Sequence, residues 1–216
     1  MPSQAGKIHF GAYLTYSPKG ETEIEKQSRE FCFRVKRTNE EAISKAIARL
    51  EEERLPTFER FINEQTVLVP VPRSRASAKD QAWPAKAITD ELVSQGLASQ
   101  SELFLQRTRS VKKSANPRTA KRPDPKEHYE SISCEKSRSE PDSITLIDDV
   151  FTRGSTFLGA AAAVRDVFPR TAIAAFALIW THEQNRKPSA IRMPIKGKIW
   201  VGRNGKPIRR KFRLSP

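Results

Sequence analysis

Two adjacent carboxylates, Asp148 and Asp149, close the apolar run Ser143-Ile144-Thr145-Leu146-Ile147, and Thr152-Arg153-Gly154-Ser155-Thr156 follows directly after Val150 and Phe151. Ionised carboxylates only accept hydrogen bonds, so a neighbouring pair suits the hydroxyls of a polyol. The hydroxyl-rich turn carries one glycine and leads into an alanine-rich helix, Phe157 to Phe168. A turn that opens a helix offers free backbone N–H groups and a positive dipole end, which favour a phosphate. Acids and anion site on one loop describe a site for a sugar phosphate.

Such a loop needs a strand to carry it and neighbours to flank it. The run Ile144 to Asp149 reads as a buried parallel strand, and the crevice beyond the carboxyl ends of such strands is where open α/β sheets bind ligands. A second buried strand is expected at Thr66 to Val71, followed by the loop Pro72-Arg73-Ser74-Arg75 and a helix from Trp83 to Gln95. Leu103 to Arg107 is a short strand, and Ala172 to Trp180 follows the alanine-rich helix. This strand–helix alternation predicts a mainly parallel sheet with flanking helices, an open α/β fold.

The flanking regions read differently. His9 to Tyr16 and Phe31 to Lys36 are expected as two strands joined by a charged loop around Pro18-Lys19-Gly20. Thr38 with Glu41 makes a capping box for a helix with Ile43, Ile47 and Leu50 on one face, and Pro56 starts a short helix carrying Phe58, Phe61 and Ile62. Residues 1–64 are thus expected as an N-terminal β/α appendage to a core at 65–184. The tail 185–216 has eleven Lys or Arg and no acid. Its stretch Trp200 to Lys206 predicts a β-hairpin with an Asn-Gly turn. Between Arg107 and Lys126 eight basic residues face one acid, Asp124, with three prolines. So little apolar content predicts a mobile basic loop, 107–130.

With 216 residues and a net charge of +14, the chain can bury one substantial core and is expected to have affinity for polyanions. Cys32 and Cys134 lack metal-ligand spacing and read as free thiols in a reducing compartment. No signal-peptide core or membrane-spanning run is present, which gives the expectation of a cytoplasmic protein with no membrane partner. Trp83, Trp180 and Trp200 are read as packing residues, and His182 as satisfying a local hydrogen bond.

The acid pair and the loop after it resemble the phosphoribosyl-pyrophosphate (PRPP) signature of type I phosphoribosyltransferases: apolar residues, two acids, two variable positions, then Thr-Thr-Gly-x-Thr. Asp148, Asp149, Thr152, Gly154 and Thr156 match, whereas Arg153 departs from the usual small hydroxyl residue. The resemblance spans about Thr66 to Trp180 and is closest to ComF-like proteins, whose first core strand commonly reads as Pro70-Val71-Pro72 does here. Their N-terminal four-cysteine zinc module has no counterpart in this chain.

The resemblance implies a pentosyltransferase acting on PRPP with Mg²⁺, possible homodimers, and roles for particular residues. Asp148 and Asp149 would hold the ribose 2′- and 3′-hydroxyls, and Val150, Phe151, Thr152, Arg153, Gly154, Ser155 and Thr156 would wrap the 5′-phosphate. Arg73, Ser74 and Arg75 occupy the place of the pyrophosphate loop, with Lys112, Lys113 and Arg118 of the basic loop closing over it. His128 would act as general acid or base. Mg²⁺ would be held through PRPP and water, with no direct protein ligand. Plainer readings stand beside these: Arg73 and Arg75 as solvated charges, His128 as a surface histidine. A reading of another class makes the chain a PRPP sensor of the ComF-like kind, holding nucleic acid on its basic loop and tail.

Overall fold

The computed structural model describes residues 6–53, 56–76, 81–111, 123–182 and 187–213. In chain order its elements are β1 (Ile8–Tyr16), α1 (Glu23–Lys36), α2 (Glu40–Glu53), β2 (Val67–Pro70), α3 (Pro84–Ser94), β3 (Gln100–Ser101), β4 (Leu105–Arg107), α4 (Pro125–Tyr129), β5 (Ile132–Cys134), β6 (Ser143–Phe151), α5 (Ser155–Val167), β7 (Ala172–Thr181), β8 (Arg192–Val201) and β9 (Pro207–Arg213). Seven strands form one sheet in the order β3-β2-β6-β7-β1-β8-β9. The first five run parallel, while β8 and β9 join antiparallel beyond β1.

The central strands bear apolar residues on both faces because helices cover both. On one side α5 packs its Ala160–Ala163 run and Leu158 against Leu146, Ala175 and Ala177 of the sheet. On the other, α1, α2 and α3 bring Cys32, Val35, Ile47, Ile88 and Leu92 against Tyr13, Leu68, Ile147 and Phe176. Among the described residues no helix is long and apolar enough to cross a membrane.

Several local expectations are corrected. The segment Phe31 to Lys36 is the end of α1, not a strand. Its alternating Phe31, Phe33 and Val35 imitate a period of two, but Glu25, Ser28, Cys32 and Val35 share the buried face at helical spacing. A capping box between Thr22 and Glu25 starts that helix, and Phe33 is left 55% exposed. Helix α2 is capped by Asn39, whose Oδ1 accepts from the Ala42 N–H at 3.0 Å, and not by Thr38. Thr38 has a φ of 55° and points its hydroxyl back to the Arg37 carbonyl. Pro56 starts hydrogen-bonded turns instead of a helix, and these seat Phe58 and Phe61 on Tyr13 and Phe176. Gly11 is needed beneath them, because a Cβ there would meet the Phe61 ring at 2.9 Å.

The segments expected as appendages continue the same sheet. β1 lies between β7 and β8, and the β8–β9 hairpin forms the sheet's far edge. The far end of the basic segment falls in a regular element. A capping box between Asp124 and Glu127 opens α4, and β5 pairs antiparallel with β4, Arg107 opposite Ile132. Gly159 of α5 lets α4 approach: a Cβ there would lie 2.4 Å from the His128 Cβ.

Candidate functional site

The strand order places a topological switch between β2 and β6. From β2 the chain crosses through α3 to β3 on one side, and from β6 through α5 to β7 on the other. Helices α3 and α5 cover opposite faces of the sheet. Loops leaving adjacent strands in opposite directions open a crevice at their carboxyl ends. Here those loops are Pro72–Ala76 and Thr152–Gly154.

The acid pair sits inside β6, not at its end: Asp148 stands level with Ala177, and pairing continues through Val150 with Ile179 and Phe151 with Trp180. Phe151 is buried, stacked at 4.3 Å on Phe10 and 6.1 Å from Phe157. Val150 and Phe151 therefore belong to the strand, and the turn proper begins at Thr152. The Asp148 Oδ1 accepts from the Asp149 N–H at 2.9 Å. Burial, and next the neighbouring Asp149 charge, push the Asp148 carboxyl well above the usual carboxylate range. Lys36, in the last turn of α1, approaches Asp149 Oδ2 at 3.6 Å. Burial alone would lower its pKa, but Asp149, Cys32, Asp148 and Tyr16 together raise it. A cation from the opposite end of the sequence thus balances the pair.

The turn after the acids opens α5 through a left-handed glycine. Gly154 adopts a φ of 86°, and a Cβ there would press on Ile199 at 3.0 Å and Phe151 at 3.1 Å. No side chain caps α5, so its leading N–H groups keep their capacity for a ligand. The Thr152 hydroxyl lies 2.9 Å from that of Thr181, while its carbonyl accepts from Arg209 of β9. The Arg153 side chain is exposed.

Across the crevice, the Pro72–Ala76 loop runs beside the start of the basic segment. Arg107 Nε donates to the Arg73 carbonyl at 2.9 Å and Nη1 to the Ser131 Oγ at 2.6 Å, with Nη2 at 3.4 Å from the Pro72 carbonyl. The Val111 N–H donates to the Ser74 carbonyl at 2.8 Å, and the Ala76 N–H to the Ser110 hydroxyl at 3.1 Å. Burial lowers the Arg107 pKa to about 10 against the pull of Asp148, so the guanidinium remains charged at neutral pH. Arg73 packs its guanidinium over Trp83, 5.5 Å from the ring centroid, and donates to the Gln81 carbonyl. Ser74 is partly buried and Arg75 exposed. Lys112, Lys113 and Arg118 lie outside the described residues.

His128 is not a surface histidine. It is 8% exposed, in α4 against α5. Burial first, and Arg107 second, push its pKa down to about 4, so the ring is neutral near pH 7. Its folded pKa lies below the ordinary 6.5. The stability it contributes is therefore present above that value and lost as pH falls toward the folded one. His128→Gln is expected to lose less stability between pH 6.5 and 4.5 than the parent, read as urea midpoints. Parallel losses in both proteins would contradict the burial-driven shift.

Lys36 and Arg107 escaped the sequence reading as site residues. The signal for Lys36 was the Thr22-x-x-Glu25 capping box with a helical stripe behind it. Arg107 had none beyond its charge. Among the described residues, no three or more His, Cys, Asp or Glu side chains cluster to hold a metal. Compared with known proteins, the chain matches no family model and no curated relative.

Proposed function

We propose that the chain binds PRPP across the β2–β6 switch point and transfers its phosphoribosyl group to an acceptor, as a pentosyltransferase. The observation that carries this reading is the convergence of two loops at one crevice: an acid pair leading into an uncapped helix, and an arginine-bearing loop braced by Arg107. Asp148 and Asp149 accept hydrogen bonds from the ribose 2′- and 3′-hydroxyls. The 5′-phosphate rests on the backbone N–H groups of Thr152–Thr156 and the α5 dipole. Pyrophosphate lies against Arg73, Ser74 and Arg75.

In the transfer, the bond from C1 to the pyrophosphate oxygen breaks with its electron pair leaving on pyrophosphate. The acceptor's lone pair forms the new bond at C1, and the acceptor's proton passes to base or solvent. The residues place charge where it develops: carboxylates near the cationic sugar, cations on the departing anion. The acid pair is engaged internally and with Lys36, an arrangement suited to Mg²⁺ carried on the ligand's oxygens and water. Bound there, Mg²⁺ would neutralise pyrophosphate charge.

Turnover is tested by pyrophosphate release from PRPP and Mg²⁺ with ammonia, purine and pyrimidine bases as acceptors. Release that depends on one acceptor class is expected. PRPP binding with no release from any acceptor would contradict the transferase part of the reading.

A further inference from the structure

A cavity of about 470 Å³ opens away from the acid pair, between β1, the 56–61 turn and the β8–β9 hairpin. His9, at its edge, precedes by three residues Ala12, which is level with Ala177 and hence Asp148. Three strand residues span about 10 Å, and β1 stands two strands, about 10 Å, from β6. The two sites are therefore separate.

The cavity combines cations with aromatic surface. Arg60, Lys196 and Lys198 line it together with Phe61 and Phe212. Strand register sets this arrangement: Lys198 pairs with His9, and Lys196 with Phe212. Arg60 Nη1 lies 3.2 Å from His9 Nδ1, and Lys196 Nζ is 3.5 Å from the Thr57 hydroxyl. Burial, Arg60 and Lys198 lower the His9 pKa, which leaves Nδ1 free to accept from the guanidinium. Among the described residues no carboxylate lies among the side chains lining the cavity, and none forms an ion pair with Arg60, Lys196 or Lys198. Phe61 is a buried floor, whereas Phe212 stands 48% exposed as a wall.

Three neighbouring positive charges without acids repel one another and favour an anion. The exposed Phe212 ring beside them, above the buried Phe61, favours a flat apolar group. A bare inorganic anion would use only the first feature, and an alkyl chain only the second. A cavity of this volume also falls in the range of ligand pockets. We infer that this cavity is a second ligand site, for a nucleotide, with the base against the exposed Phe212 ring and the phosphate on Arg60, Lys196 and Lys198. The cations continue outside it, with Arg210 over the Phe212 ring at 5.2 Å and Lys7 over Trp200 at 5.2 Å. A free nucleotide and one residue of a nucleic-acid strand share this chemistry.

The test uses the full chain carrying Asp148→Asn and Asp149→Asn, so that the PRPP site contributes nothing, and titrates a fluorescent N-methylanthraniloyl derivative of AMP. Saturable binding is expected, weakened at least ten-fold by Lys196→Ala with Lys198→Ala and again by Phe212→Ser. These side chains are exposed, and an unchanged circular dichroism spectrum verifies the fold. Unlabelled AMP should compete at least ten-fold better than inorganic phosphate. An oligo(dA) octamer competing no better than AMP identifies a free nucleotide, and one competing ten-fold better, in a salt-sensitive manner, identifies a strand. Absent binding, equal binding by the variants, or phosphate competing as well as AMP would overturn the assignment without touching the PRPP reading.

Discussion

Replacing Asp148 and Asp149 together by Asn is expected to weaken PRPP binding at least 100-fold while leaving the fold intact. Hydrogen bonds to a charged group contribute roughly 1.5–3 kcal/mol each, and two ribose hydroxyls would lose such partners at once. An amide also presents N–H donors where the hydroxyls need acceptors. The stability effect has the opposite sign. Desolvation, and next the neighbouring Asp149 charge, raise the pKa of the partly buried Asp148 carboxyl above the ordinary range. A raised folded pKa contributes stability that is present below the unfolded value and lost as pH rises through the folded one. Asp148→Asn alone should therefore melt above the parent at pH 7, with the two converging toward pH 4. A single variant that gains stability and loses ligand marks a group strained for function. Equal or lower melting temperature at pH 7, or PRPP affinity kept in the double variant, would contradict the assignment.

Arg107→Met is expected to produce the second-largest effect, on both stability and anion binding. The substitution removes the donors to the Pro72 and Arg73 carbonyls and to Ser131. Leaving such acceptors without partners costs about 2–3 kcal/mol in sum. It also removes the Arg107 brace from the Arg73–Arg75 loop, leaving the Val111–Ser74 and Ala76–Ser110 hydrogen bonds to hold it, so pyrophosphate affinity should fall about ten-fold, read by titration of pyrophosphate well below the unfolding transition. Arg107→Lys should recover little, because an ammonium cannot reproduce the guanidinium fork. A stability loss with unchanged pyrophosphate affinity would reduce Arg107 to a structural brace.

The β6–α5 unit was legible in sequence because its signals are contiguous: an apolar run, two acids, a glycine with positive φ, and an alanine-rich helix. The strand at Val67–Pro70, the helix after it and the Asn-Gly hairpin were legible for the same reason. What escaped depends on contacts distant in sequence. β1 reaches the sheet interior by pairing His9 with Ala174, and nothing local in residues 8–16 specifies that partner. Lys36 reaches Asp149 only because Cys32 and Val35 turn α1 onto the sheet, a helical stripe that alternating aromatics masked. Arg107 and His128 looked like parts of a solvated basic loop. Their burial follows from β4 pairing with β5 and from α4 settling on Gly159. The free thiols of Cys32 and Cys134, by contrast, are as their spacing predicts.

The most direct measurement is a calorimetric titration of PRPP with Mg²⁺ into the full chain, beside ribose 5-phosphate and pyrophosphate alone. Because the acid pair and α5 hold one end of the ligand and the Arg73–Arg75 loop the other, PRPP should bind at least ten-fold more tightly than either fragment. It should also lose that advantage in the Asp148/Asp149 double variant. PRPP binding no better than pyrophosphate, or unaffected by loss of the acids, would show that the crevice between β2 and β6 is not a PRPP site.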